Sequence, residues 1–182
     1  RQEELLNNPE IAEKWEIHKD EKQQLSEYFA NSQSYKLQSP DVGGQARREL
    51  SALFLERIFD LVDNDGYAAQ ILPGRTFAGA ASKDLREHLL NNCEINSIIA
   101  FENNDIFDHV HGQYKFGITT FKNSGETTEV TSIFNQKSVD ILKNIEEKII
   151  NVPRSILSQY SPKAKSFHFV EHKEEVEILK KM

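Results

Sequence analysis

Thiols, glycine and long apolar runs are all scarce in this chain of 182 residues. Its single cysteine, Cys93, excludes an internal disulfide framework and a zinc site built on several thiolates, and it fits a reducing cytoplasm. No run approaches the roughly eighteen apolar residues that a membrane span needs, and no charged-then-apolar leader is present. Positive charge is short as well: 22 basic residues stand against 29 acidic ones, a formal charge of −7. Neutralising phosphates dominates the affinity of a self-sufficient DNA binder. Any nucleic-acid contact is therefore expected to be local, or supplied by other parts of a longer protein. The chain opens at Arg1 inside a polar helical pattern, which reads as a piece cut from such a protein.

What is present is an alternation of helical and extended patterns. Residues 1–34 read as a charged helix carrying Ile11, Trp15, Leu25, Tyr28 and Phe29, with Asn8 and Pro9 placed to start it. Ser34 to Gly44 reads as a loop, a hinge or a segment ordered by a partner. Residues 45–63 give the clearest helix, with a stripe of Leu50, Leu53, Phe54, Arg57, Ile58, Leu61 and Val62, and Gly66 suits a left-handed cap beyond it. Tyr67 to Pro73 has the composition of a doubly covered parallel strand. A helix from Ser82 to Asn92 buries Leu85, Leu89 and Leu90, and strands follow at 95–101 and 114–122. The link between those strands is short for a crossover helix, so they are expected to be antiparallel neighbours. Residues 126–134 predict one more edge strand. Residues 137–150 predict a helix with Val139, Leu142, Ile145 and Ile149 inward, and Lys173 to Met182 a charged helical end.

Two stretches resemble a known family. Residues 53–73, running from Leu-Phe-Leu-Glu-Arg to Gln-Ile-Leu-Pro, resemble the helix and strand after the catalytic loop of N6-adenine methylases. These are the Eco57I-like, type IIG-like restriction-modification enzymes. Residues 99–116, with Phe101-Glu102-Asn103, Ile106-Phe107, Val110 and Tyr114-Lys115-Phe116, are similar to that family's Phe-Glu-Asn, Ile-Phe, Val, Tyr-Lys-Phe signature. Tyr160-Ser161-Pro162 and residues 171–182 resemble its exit toward a target-recognition region, and the likeness spans about residues 35–182. Glu49-Leu50-Ser51 departs from it, standing where many relatives read Asn-Leu-Tyr.

The resemblance implies an α/β fold, part of a class I, Rossmann-like methyltransferase sheet with a terminal antiparallel hairpin and flanking helices. It implies a helical lead-in at 1–34, the carboxyl-side half of the methyltransferase domain at 35–152, and a linker toward target recognition at 153–182. The implied activity is S-adenosylmethionine-dependent methylation of adenine N6 in double-stranded DNA, in a cytoplasmic restriction-modification system. The glycine-rich cofactor loop and the Asn-Pro-Pro-aromatic motif are missing from these residues, and Asn8-Pro9-Glu10 is a superficial echo of the latter. The piece alone is therefore expected to be inactive. It would contribute the target-base side, with the catalytic motif upstream of Arg1.

Methylating a base inside DNA requires flipping it out and holding it, work suited to an aromatic face. By position in the family that ring is Phe107; the same ring could instead plug the core between two strands. Arg75, after the strand that ends in Pro73, and Lys115, beside the loop, are candidates for DNA contact. His109 and His111 alternate along what reads as an extended segment and are further candidates, more simply solvated or hydrogen-bonding than metal-binding. Asp63 and Asp65 terminate a helix, Glu171, Glu174, Glu175 and Glu177 form a solvated face, and Cys93 packs. Two rival readings stand beside this one: a non-enzymatic α/β interaction or specificity module, favoured by the acidic charge, and a methyltransferase acting on RNA or protein. A cut sheet would leave an edge through which two copies could pair.

Overall fold

The computed structural model describes residues 7–38, 49–167 and 170–182. It comprises two compact units, Arg1–Lys36 and Leu37–Met182. In the first, helix α1 (Pro9–Asn31) starts as its sequence predicts: Pro9 occupies the first turn and the Asn8 side chain accepts from Glu10 N at 3.0 Å. No residue of α1 is buried, and Ile11, Trp15, Leu25 and Tyr28 are exposed. The loop expected after Ser34 lies largely outside the described residues, as do the first four positions of the helix expected from residue 45.

In the second unit, α2 (Leu50–Leu61) leads into β1 (Tyr67–Pro73). A short helix α3 (Gly74–Ala78) and a 3-10 turn precede α4 (Lys83–Asn92). Then come β2 (Glu94–Glu102), β3 (Lys115–Lys122) and β4 (Glu129–Gln136). Two 3-10 turns, β5 (Ile150–Pro153), α5 (Arg154–Tyr160) and α6 (Lys173–Lys181) complete it. The five strands form one mixed sheet in the order β1-β3-β2-β4-β5. Strands β2 and β3 are antiparallel neighbours, as their short link predicts.

Several expectations are corrected. Strand β4 is not an edge: it lies between β2, to which it is parallel, and β5. The link from β3 crosses beneath the start of β2, tied there by Thr127, whose Oγ1 accepts from Ile95 N at 2.9 Å and donates to Cys93 O at 2.7 Å. Strand β1 is not doubly covered; it is an edge strand with Tyr67 and Ile71 exposed. Residues 137–150 do not form an α-helix. The spacing of Val139, Leu142, Ile145 and Ile149 fits a 3.6 period, but Ser138 accepts from Asp140 N and starts a 3-10 turn. Asn144 breaks the run, Ile141 is buried, Ile145 and Ile149 pack inward as expected, and Val139 and Leu142 face out. Helix α2 likewise buries Ala52, Leu53, Leu55 and Glu56 rather than the whole expected stripe, leaving Leu50, Phe54 and Leu61 exposed. Gly66 is no left-handed cap. Asp65 takes the positive φ of 70°, and Gly66 is required because a Cβ would stand 2.7 Å from Val62.

The main core packs one face of the sheet against the helices. Leu72, Ile98, Ala100, Phe121, Val130 and Phe134 meet Leu55, Leu85, Leu89, Ile156 and Leu157. An irregularity between Ile95 and Ser97 lets Ile95 join Ile98 on that face. Arg86, fully buried in α4, donates to Thr76 O, Ala164 O and Lys165 O and so ties the chain after α5 to α3. Its surroundings push the guanidinium down to about 10 through desolvation, with Asp84 opposing. The second face carries a smaller cluster, Ile99, Phe101, Phe116 and Ile133 beneath Ile141.

Candidate functional site

Strands β1, β2 and β4 share one direction, because β1 and β2 both run antiparallel to β3 and β4 runs parallel to β2. Their carboxyl ends, Pro73, Glu102 and Gln136, therefore lie along one side of the sheet. That is the side on which open α/β sheets gather ligands. Residues 103–114 span the gap from β2 to β3 at this side.

The loop is irregular, with Asp105 and His109 at positive φ (57° and 62°). Its organiser is Asn103, which is fully buried. The Asn103 carboxamide accepts from Phe107 N at 2.7 Å and donates to Phe107 O at 3.1 Å and Val110 O at 2.8 Å. Its backbone N–H donates to Tyr114 O at 2.8 Å and closes the neck of the loop. So held, Phe107 leans edge-on against Phe116, with centroids 4.9 Å apart, and Phe116 stacks on Phe101 at 5.4 Å. These rings form a ladder from core to solvent: Phe101 and Phe116 are buried, while Phe107 is 41% exposed. The ring is not a core plug.

Phe107 lines an apolar cleft of about 420 Å³ with Val110, Tyr114, Phe116, Ile71 and Leu50. That volume lies within the roughly 300–1,000 Å³ of small-ligand pockets. Beyond Tyr114 a second cleft, about 350 Å³, is lined by Gly74, Arg75, Gln113 and Lys115. Arg75 is engaged there: Nε and Nη2 donate to the two Glu49 carboxylate oxygens at 2.7 and 2.6 Å. That bond holds the guanidinium further above its ordinary value. Lys115 donates to Asn135 Oδ1 at 3.0 Å and pairs with Glu102 at 3.4 Å, and Asn135 in turn donates to Glu171. Both cations thus face the site with carboxylates already beside them. A phosphate arriving there would exchange with a carboxylate rather than meet a bare cation.

His109 and His111 do not alternate along a strand. They sit in exposed turns, and His111 Nδ1 accepts from Gln113 N at 3.2 Å. Among the described residues, no group of three or more His, Cys, Asp or Glu is placed to hold a metal ion. Cys93 is buried, and desolvation pushes its thiol up to about 11, so it stays protonated at neutral pH. A larger cavity, about 490 Å³ between the ends of β4 and β5 and the start of α6, is lined mostly by charged and polar groups such as Glu147, Lys148, Glu171 and Lys173.

The described residues do not fit an S-adenosylmethionine cradle. Gly74 and Gly117 pack against this chain's own Lys115 and Phe77, and Gly112 faces open space in an exposed turn. Gly43 and Gly44 lie outside the described residues.

Residues 8–107 match the model of the Eco57I restriction-modification methylase family. The chain belongs to the Eco57I restriction-modification methylase family. No curated protein matches its sequence. Among solved structures it is similar to a modification subunit assigned to a type I restriction enzyme from Vibrio vulnificus. That match has 20% identity and a TM-score of 0.51, over 69% of this chain and 31% of that one. It is also similar to a chain from the type I restriction-modification system, at 13% identity and a TM-score of 0.53, over 79% of this chain and 37% of the other. At such identities these neighbours speak for the fold, a methyltransferase-like mixed α/β sheet with flanking helices. The chain spans about a third of their length. Sequence reasoning reached Phe107 through the family signature, and included Asn103 in that signature but gave it no role. An asparagine after a strand reads as an ordinary turn former, and nothing local marks it as buried.

Proposed function

We propose that this chain supplies the target-base side of an S-adenosylmethionine-dependent DNA methyltransferase of a restriction-modification system, acting on adenine N6. The observation that carries the reading is the half-exposed Phe107 ring, held over an apolar cleft at the carboxyl ends of the parallel strands. In this proposal the flipped adenine stacks on Phe107, and Tyr114 divides the base cleft from the neighbouring one. Arg75 and Lys115 take DNA phosphates in exchange for Glu49 and Glu102, while His109 and His111 lie within reach of the backbone.

The cofactor loop and Asn-Pro-Pro-aromatic motif would come from sequence outside these residues, so the chain alone performs no transfer. Residues 1–34 would serve as a lead-in, and 153–182 would lead on toward target recognition. The protein would work in the cytoplasm; among the described residues no helix is long and apolar enough to cross a membrane. The β1 edge would be covered by the rest of the sheet in the complete protein, and in this chain alone by a second copy.

The test is methylation of unmodified phage DNA by the full-length protein, with the product nucleoside identified by mass spectrometry. N6-methyladenine is expected. Phe107→Ala should lower the rate at saturating DNA by roughly tenfold or more, since stacking on an aromatic contributes about 1–3 kcal/mol per base. A methylated cytosine, or methylated RNA or protein in place of DNA, would overturn the substrate assignment. No transfer to any of them would leave a non-enzymatic module.

A further inference from the structure

We propose that Asn103 is a positioning residue, whose buried carboxamide holds the Phe107 ring at the mouth of the cleft. The inference rests on the base-holding reading of Phe107 and adds to it the group that fixes that ring in place.

The Phe107 side chain meets the edge of Phe116 and is 41% exposed, and it sits in a loop without regular secondary structure. A buried carboxamide carries a desolvation cost unless its polar atoms are satisfied. Those of Asn103 are satisfied by the loop itself: the oxygen accepts from Phe107 N, and the nitrogen donates to Phe107 O and Val110 O. The same side chain therefore fixes both backbone groups of Phe107 and the backbone of Val110, the two residues whose side chains line one wall of the cleft.

The pattern needs two donors and one acceptor in a short side chain, which an amide provides. An aspartate of the same shape, when ionised, offers acceptors only and would face the Phe107 and Val110 carbonyls with negative charge. A leucine offers neither donor nor acceptor. The Asn103 N–H to Tyr114 O bond anchors the residue at the neck, so the loop is held from its base rather than from its tip.

The experiment compares N103D, N103S, F107A and the N103D/F107A double variant in the full-length protein. It reads hydrogen exchange at the Phe107 amide, thermal stability, and methyl transfer to unmodified phage DNA with separate KM values for DNA and S-adenosylmethionine. N103D keeps the acceptor for Phe107 N–H but loses both donations and sets negative charge against the Phe107 and Val110 carbonyls, so the loop should open more readily and exchange at the Phe107 amide should speed up roughly tenfold or more. It should lower the rate at saturating DNA by a similar factor and leave the KM for S-adenosylmethionine unchanged. In the F107A background it should cost little further, because the ring it positions is already gone. N103S, which keeps a small donor and acceptor, should fall between, and it carries the test if N103D does not fold. Equal losses from N103D with and without Phe107, or a fall in thermal stability with unchanged exchange at Phe107, would overturn the positioning role. F107A at the wild-type rate would instead refute the base-holding reading, and the exchange measurement would still decide what Asn103 holds.

Discussion

Both outer strands of the sheet end in a proline and have helices packed against them, but β5 is four residues long whereas β1 runs seven residues with Tyr67 and Ile71 exposed. Shortness is one way natural sheets protect an edge. Strand β1 has a full ladder to β3 on one side and, among the described residues, no strand on the other. Helix α2 accentuates the contrast, because Leu50, Phe54 and Leu61 project beside β1 at 64%, 64% and 67% exposure. Length and exposed apolar side chains give the β1 edge the character of an interface.

Substitutions on the two sides should separate this contrast most sharply. Leu157→Ala, beneath the β5 side, should destabilise by about 2–5 kcal/mol, since it removes a side chain 2% exposed in the main core. Phe54→Ala, on the β1 side, should stay within about 0.5 kcal/mol. Denaturant titration of both variants checks the pair, and comparable losses would mean that Phe54 is packed after all. Ile71→Lys puts a charge on the free edge, where lysine blocks strand pairing. In sedimentation, the wild-type chain is expected to associate and the variant to run as a monomer; identical profiles would remove β1 as the contact.

The smallest effect lies at the seam between the sides, where His88 of α4 stacks on Phe59 of α2 with centroids 4.3 Å apart. Burial holds this imidazole below its ordinary value of 6.5, with Asp60 opposing. As the pH falls through 6.5, the unfolded chain takes up a proton that the folded chain binds less readily. Stability is therefore complete above that value and is lost from there down through the lower folded value. His88→Gln should flatten the difference in stability between about pH 7.5 and 5.5; an unchanged slope would assign it to other groups.

The sequence made part of the fold legible for a physical reason. Helix α4 and strands β2 and β3 carry apolar residues at the right period, and a short link settles the pairing of the strands. The failures fall where periodicity is ambiguous. Residues 137–150 keep a helical spacing, but Ser138 and Asn144 favour short turns, and only the fold reveals that Ile141 joins Ile145 and Ile149 against the Phe101 and Phe116 cluster while Val139 and Leu142 face out. Strand β1 is apolar enough for a covered strand, so composition cannot report that, among the described residues, it lies at the edge of the sheet. Helix α2 carries apolar residues on two faces, and a single stripe conceals which of them meets the sheet. At the candidate site, Phe107 was reachable through the family signature, whereas Glu49 beside Arg75 arises from 26 positions away along the chain and Asn135 beside Lys115 from 20.

The most direct test of the account is calorimetric titration of S-adenosylmethionine into this chain and into the full-length protein. The account predicts binding by the full-length protein alone, because the described residues offer no cradle for the cofactor. Binding by the isolated chain would contradict the placement of the cofactor loop outside it, and binding by neither would contradict the methyltransferase assignment itself.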